Sequence, residues 1–139
     1  MRFKGRVIQG WDGELVGEVL ITRFKVSFLG DVDLNTGRVV GPDLDIRGES
    51  LVGRVFIFPE GRGSTVGSNV IYGLARRGLA PELLATCRAE LITVSGAILG
   101  GVPMISNLGE AVFENLMTGD QVRAYIVGDE AYIERVAKT

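Results

Sequence analysis

Residues 51–58, Leu51-Val52-Gly53-Arg54-Val55-Phe56-Ile57-Phe58, are too apolar for a surface segment, and the run stops abruptly at Pro59. A glycine-rich stretch follows, Pro59-Glu60-Gly61-Arg62-Gly63-Ser64-Thr65-Val66-Gly67-Ser68-Asn69. Residues 70–77 then carry a helical pattern that ends at Gly78. A continuous apolar run predicts a buried strand, here over residues 50–58. Strand, glycine turn and helix together predict an α/β chain with the turn at the carboxyl end of a central strand, where open α/β sheets place ligands. A helix that starts from a glycine turn leaves backbone N–H groups free to face an anion. Arg62 adds a forked cation and Ser64 a hydroxyl with little steric cover.

The stretch fits neither common nucleotide pattern. A phosphate-binding P-loop needs four residues between its glycines, then Lys and Ser or Thr. Counted from Gly61, Val66 stands in the second glycine's place and the stretch has no Lys. In the dinucleotide pattern Gly61 and Gly63 fit the first two glycines, but Val66 rather than Gly67 holds the third place. Two readings stand on local pattern: a tight turn with Ser64 as helix N-cap, or an anion site.

The rest of the chain narrows the chemistry. Its 139 residues fit a single domain, 1–139, with one core. One cysteine, Cys87, and no histidine exclude an internal disulfide and a self-contained cysteine cage for zinc or an iron–sulfur cluster. Ser-His-Asp and Cys-His catalysis are equally excluded within this chain alone. A net charge of −2 without a basic stripe speaks against nucleic acid as a partner. The most apolar stretch, residues 91–105, is broken by glycines and Pro103 and is shorter than the ~20 residues a membrane span needs. The basic start, residues 1–6, leads into no long apolar segment, so a cytoplasmic protein is expected.

Residues 4–9 and 14–21 read as strands around the turn Trp11-Asp12-Gly13. Residues 25–28 and 38–40 read as extended pieces around Asp33-Leu34-Asn35-Thr36-Gly37. Asp31 and Asp33 lack the spacing of a calcium loop and read better as a turn closed by side-chain hydrogen bonds. Residues 90–99 are ambiguous between strand and helix, residues 102–106 read as a short strand, and residues 121–127 and 131–136 as a hairpin. Cys87 reads as a small buried residue, and the glycines of residues 95–103 as sites of close packing. The sum is a mixed sheet or barrel with two or three helices.

Four blocks in this order carry a family resemblance: Ser27-Phe28-Leu29-Gly30-Asp31-Val32-Asp33, Thr36-Gly37-Arg38-Val39-Val40, Arg47-Gly48-Glu49-Ser50-Leu51-Val52-Gly53 and Pro59-Glu60-Gly61-Arg62-Gly63-Ser64. Together they resemble the swivel domain of the aconitase X family, in particular its archaeal two-subunit type. The resemblance implies a swivelling β/β/α domain and a heterodimeric hydro-lyase. It implies a large subunit that carries the iron–sulfur cluster, with no cofactor on this chain. The implied substrate is a small phosphorylated hydroxy acid, (R)-5-phosphomevalonate, dehydrated to trans-anhydromevalonate 5-phosphate. Ser64 matches the family's serine base, and Arg62, Gly61, Gly63, Thr65, Gly67 and Ser68 form the expected substrate-binding set. The wider superfamily often carries an arginine soon after that serine; here Thr65-Val66 follow, and Arg62 is the nearby cation. Two other readings stay open: a swivel subunit for a hydroxyproline-type acid, and a non-catalytic module that holds a small anion.

Overall fold

The computed structural model describes residues 1–63 and 66–138. Its strands are β1 (Arg2–Gln9), β2 (Leu15–Ile21), β3 (Val55–Phe58), β4 (Leu83–Thr86), β5 (Met104–Ser106), β6 (Gln121–Val127) and β7 (Glu130–Ala137). Its helices are α1 (Phe28–Asp31), α2 (Val66–Arg76), α3 (Leu91–Gly100) and α4 (Ala111–Asn115). The strands close into a barrel in the order β1-β5-β4-β3-β2-β6-β7. Neighbours from β2 through β3 and β4 to β5 run parallel. The ladders β5–β1, β1–β7, β7–β6 and β6–β2 are antiparallel. This is the mixed α/β barrel expected of a swivel domain. No helix is long and apolar enough to cross a membrane among the described residues.

Parallel neighbours need crossovers, and α2 and α3 supply two of them. That is why β3 reads as unbroken apolar sequence: both of its faces are covered. Val55 and Ile57 join one hydrophobic cluster with Val19, Leu83, Ala85, Ile105, Val122, Ala124, Ala131 and Ile133, which draws on six strands around the barrel. Phe56 and Phe58 join a second cluster with Ile71 and Leu74 of α2 and Ala97 of α3. Phe28 meets these two rings edge-on, with centroids 6.3 and 5.9 Å apart. Each such residue, once fully buried, contributes roughly 1.5–3 kcal/mol.

Helix α3 packs on α2 through small residues. A Cβ on Gly96 would fall 2.8 Å from Ile71 Cβ, and one on Gly100 would fall 3.0 Å from Ala75 Cβ. The glycines of residues 95–103 therefore include two sites of close helix packing, as expected.

Three local expectations need correction. The strand read over residues 50–58 is only Val55–Phe58. Leu51 to Arg54 form a turn, with Gly53 at φ 68 and Arg54 N–H donating to Leu51 O at 3.1 Å. Leu51 is fully buried, but in the helix layer rather than in a strand. Residues 25–28 are not an extended piece: Val26 makes a single bridge to Gly61 and Phe28 opens α1. The Asp31 carboxylate turns the chain there by accepting Ser27 N–H at 2.8 Å. Finally, α2 starts at Val66, four residues before the expected 70. The ambiguous residues 90–99 resolve as helix because Glu90 caps it, and that cap outweighs the β-branched residues Ile92, Thr93 and Val94.

Candidate active site

The carboxyl ends of the four parallel strands gather the loops that follow β2, β3, β4 and β5. Chain leaving β3 passes through Pro59 and Glu60 into Gly61-Arg62-Gly63. Beside it runs the chain leaving β2. Val26 N–H donates to Glu60 O at 3.2 Å and Arg62 N–H to Val26 O at 2.9 Å, which continues the parallel pairing beyond the strands. Lys25 Nζ meets Glu60 Oε1 at 3.0 Å.

Gly61 is buried beneath the first turn of α3. A Cβ there would run into Thr93 Oγ1 and fall 2.5 Å from Glu90 Oε1. The Glu90 carboxylate is itself occupied, accepting Ile92 N–H at 2.8 Å, Thr93 N–H at 3.0 Å and Thr93 Oγ1–H at 2.8 Å. Gly63 lies at φ +102, and a Cβ there would fall 2.7 Å from Ser27 Oγ. The loop thus needs glycine at these two positions for different reasons, space at 61 and backbone handedness at 63.

Arg62 is exposed. Among the described residues its guanidinium forms no ion pair and no side-chain hydrogen bond. Gly67 is buried in the first turn of α2, where a Cβ would fall 3.1 Å from Ile92 Cγ2. Ser68 Oγ donates to Ile92 O at 2.9 Å, so this hydroxyl ties α2 to α3. Ser64, the expected base and N-cap, and Thr65 lie outside the described residues. Gly61, Arg62, Gly63, Gly67 and Ser68 are brought to one end of the barrel, with Gly67 and Ser68 facing α3.

The acidic turn is structural. Asp31 is buried, and its backbone carbonyl accepts Val40 N–H at 2.8 Å and Gly41 N–H at 3.2 Å. Asp33 accepts Asn35 N–H at 2.9 Å and Thr36 Oγ1–H at 3.0 Å, the closed turn expected from the sequence. Cys87 is half-buried against the barrel cluster. Burial and then the nearby Glu110 charge push its thiol up to about 11, so it is a protonated thiol at neutral pH. Trp11 packs against the same cluster.

Sequence reasoning missed the loop after β4. Cys87 N–H and Arg88 N–H both donate to Pro59 O, at 3.0 and 3.1 Å, which fastens this loop to the base of the glycine stretch. It also missed Glu90 as a cap, because glutamate is not among the favoured N-cap residues. Among the described residues no three His, Cys, Asp or Glu side chains gather as a metal site would require.

Comparison with known proteins places this geometry. The sequence profile of the aconitase X swivel domain matches residues 2–134. The phosphomevalonate dehydratase small subunit of Thermococcus onnurineus is 43% identical over 134 residues, which cover 96% of this chain and 98% of that one. Its counterpart in Pyrococcus furiosus is 40% identical over 138 residues, covering 99% and 98%. The crystal structure of Thermococcus kodakaraensis aconitase X, in its holo-form, superposes with a TM-score of 0.86 at 42% identity, over 96% of this chain and 98% of that one. With a family profile spanning nearly its whole length, this chain belongs to the aconitase X swivel-domain family.

Proposed function

We propose that this chain is the small subunit of a two-subunit hydro-lyase that dehydrates (R)-5-phosphomevalonate to trans-anhydromevalonate 5-phosphate. The observation that carries this reading is likeness to small subunits of that activity over almost the full length of both chains. The loss of water divides into two tasks. A proton leaves the carbon next to the carboxylate, and hydroxide leaves the β-carbon. The C–H electron pair becomes the second bond of the alkene.

This chain takes the first task. Ser64 Oγ, as alkoxide, accepts the proton and becomes the alcohol. A serine is a poor base unless its alkoxide is stabilised, and backbone N–H groups of a glycine turn beside a cation are suited to that. Arg62 supplies the cation and holds the substrate carboxylate through its planar fork. Gly61 and Gly63 let the backbone approach closely.

The second task belongs to the partner. An iron–sulfur cluster supplies a Lewis acid for a departing hydroxide. One cysteine and no histidine do not fit such a cluster, so it is assigned to the large subunit and no step here is built on it.

The test is dehydration of (R)-5-phosphomevalonate by this chain mixed anaerobically with its large subunit, beside each chain alone. Turnover in the mixture only is the expected result. Turnover of a hydroxyproline-type acid, with none of the phosphorylated acid, would overturn the substrate assignment. In the mixture Ser64→Ala should lower kcat by at least about a hundredfold, with assembly unchanged. Near-normal turnover would remove Ser64 from the role of base.

A further inference from the structure

The loop after β4 carries a cation that the proposed mechanism leaves unused. Arg88 is exposed, and among the described residues its guanidinium forms no ion pair and no side-chain hydrogen bond. Its backbone is fixed against the glycine stretch from two sides. Arg88 N–H donates to the carbonyl of Pro59, three residues before Arg62. Glu90, two residues after Arg88, packs against Gly61, the residue before Arg62. The roots of the two arginines are therefore held as neighbours at the ends of adjacent parallel strands, β3 and β4.

The acids around them are occupied. Glu60 pairs with Lys25, and Glu90 holds the amides that begin α3. Glu110 acts on Cys87 and forms no ion pair with either arginine. Cys87, beside Arg88, adds no charge. Two uncompensated guanidinium groups on rigid, adjacent loops suit a ligand with two anionic ends.

Resting on the functional reading above, we propose that Arg88 is a second substrate-binding residue, which takes the phosphate while Arg62 takes the carboxylate. The division follows from connectivity. Arg62 is two residues from Ser64, so it belongs with the carboxylate next to the carbon that loses its proton. Arg88 is rooted one strand away, roughly 4.8 Å across the sheet, on the side where the phosphorylated end of the acid can extend. A forked guanidinium matches a phosphate by two parallel hydrogen bonds, and lysine does not.

The test is steady-state kinetics of the assembled two-subunit enzyme with Arg88→Ala and Arg88→Lys. The expected result is a KM for (R)-5-phosphomevalonate raised at least about tenfold in Arg88→Ala, with kcat within a factor of about two. Arg88→Lys should recover only part of that loss. An unchanged KM in Arg88→Ala, or a fall in kcat alone, overturns the proposal.

A second arm separates this outcome from failure of the functional reading. If the wild-type enzyme does not turn over the phosphorylated acid, the full chain is titrated with inorganic phosphate and with acetate. The guanidinium N–H signals of Arg88 and Arg62 are followed by NMR. Phosphate that shifts Arg88, and binds at least about fivefold more weakly to Arg88→Ala while acetate binding is unchanged, sustains Arg88 as a phosphate contact. An Arg88 signal that phosphate does not move overturns it.

Discussion

The two halves of the barrel differ in how they are covered. Strands β3, β4 and β5 are buried at every position. They are sandwiched between the barrel cluster and the layer of α2 and α3. Strands β6 and β7 alternate, with Val122, Ala124, Ala131 and Ile133 turned inward and fully buried. Their outer face carries Arg123 paired with Glu134 at 2.9 Å, Tyr125 stacked on Tyr132 at 5.6 Å, and Arg2 over the Tyr132 ring at 4.5 Å. The parallel half needs helices and hence crossover loops, and those loops carry the candidate site. The antiparallel half closes the ring with tight turns and presents a polar ladder to water. Function follows the half whose connections are long.

The comparison can be broken most directly at Phe56. Phe56→Ala removes a fully buried ring from beneath α2 and α3 and should cost about 3–5 kcal/mol. Denaturant unfolding measures this, and a cost below that of Tyr132→Ala would dissolve the contrast between the halves. Gly61→Ala comes next. Its methyl meets Thr93 and Glu90, and overpacking of this kind should cost about 1–3 kcal/mol. Turnover of the assembled enzyme should fall further than stability does, since α3 must shift from the glycine loop. Normal turnover with normal melting would show that the loop is not seated as described.

Tyr132→Ala on the outer face should cost about 0.5–1.5 kcal/mol, mostly through the lost stack on Tyr125. The smallest effect is expected at Glu134. The Arg123 guanidinium holds this carboxyl below its ordinary range through a hydrogen bond. A depressed acid stabilises the fold above its unfolded pKa, and that contribution is lost as the pH falls through the folded value. Melting temperatures of wild type and Glu134→Gln should therefore differ at pH 7 and converge below about pH 4. Added salt should shrink the difference at pH 7, because the pair is exposed.

The contrast between the halves also explains what was legible in the sequence. Residues 55–58 announced a strand covered on both faces, and the alternation over residues 121–136 announced a hairpin with one wet face. The glycine loop was legible because strand, turn and helix are adjacent in sequence. What escaped depends on distant partners. Leu51 looked like strand because it is buried, yet it is buried under the loops before β3. Residues 91–100 carry β-branched and apolar side chains that suit either element, and only the Glu90 cap and the docking on α2 decide for helix. Barrel closure rests on β1 meeting β5 and β7, a pairing across the length of the chain that leaves no local mark. Arg88 gave no signal for the same reason, since its hydrogen bond runs to another loop.

The two glycines that bracket Arg62 carry a consequence for chemical synthesis of this loop. At Gly63 the constraint is one of chirality, because a φ of +102 is strained for an L-residue and accessible to its mirror image. At Gly61 the constraint is one of volume, set by the Thr93 hydroxyl and the Glu90 carboxylate. A semisynthetic chain with D-alanine at 63 keeps the backbone path of the loop, whereas changing the hand of a residue at 61 leaves the crowding by α3 to be relieved. Arg62 thus sits between one neighbour that fixes the handedness of the chain and one that fixes its distance from the helix layer.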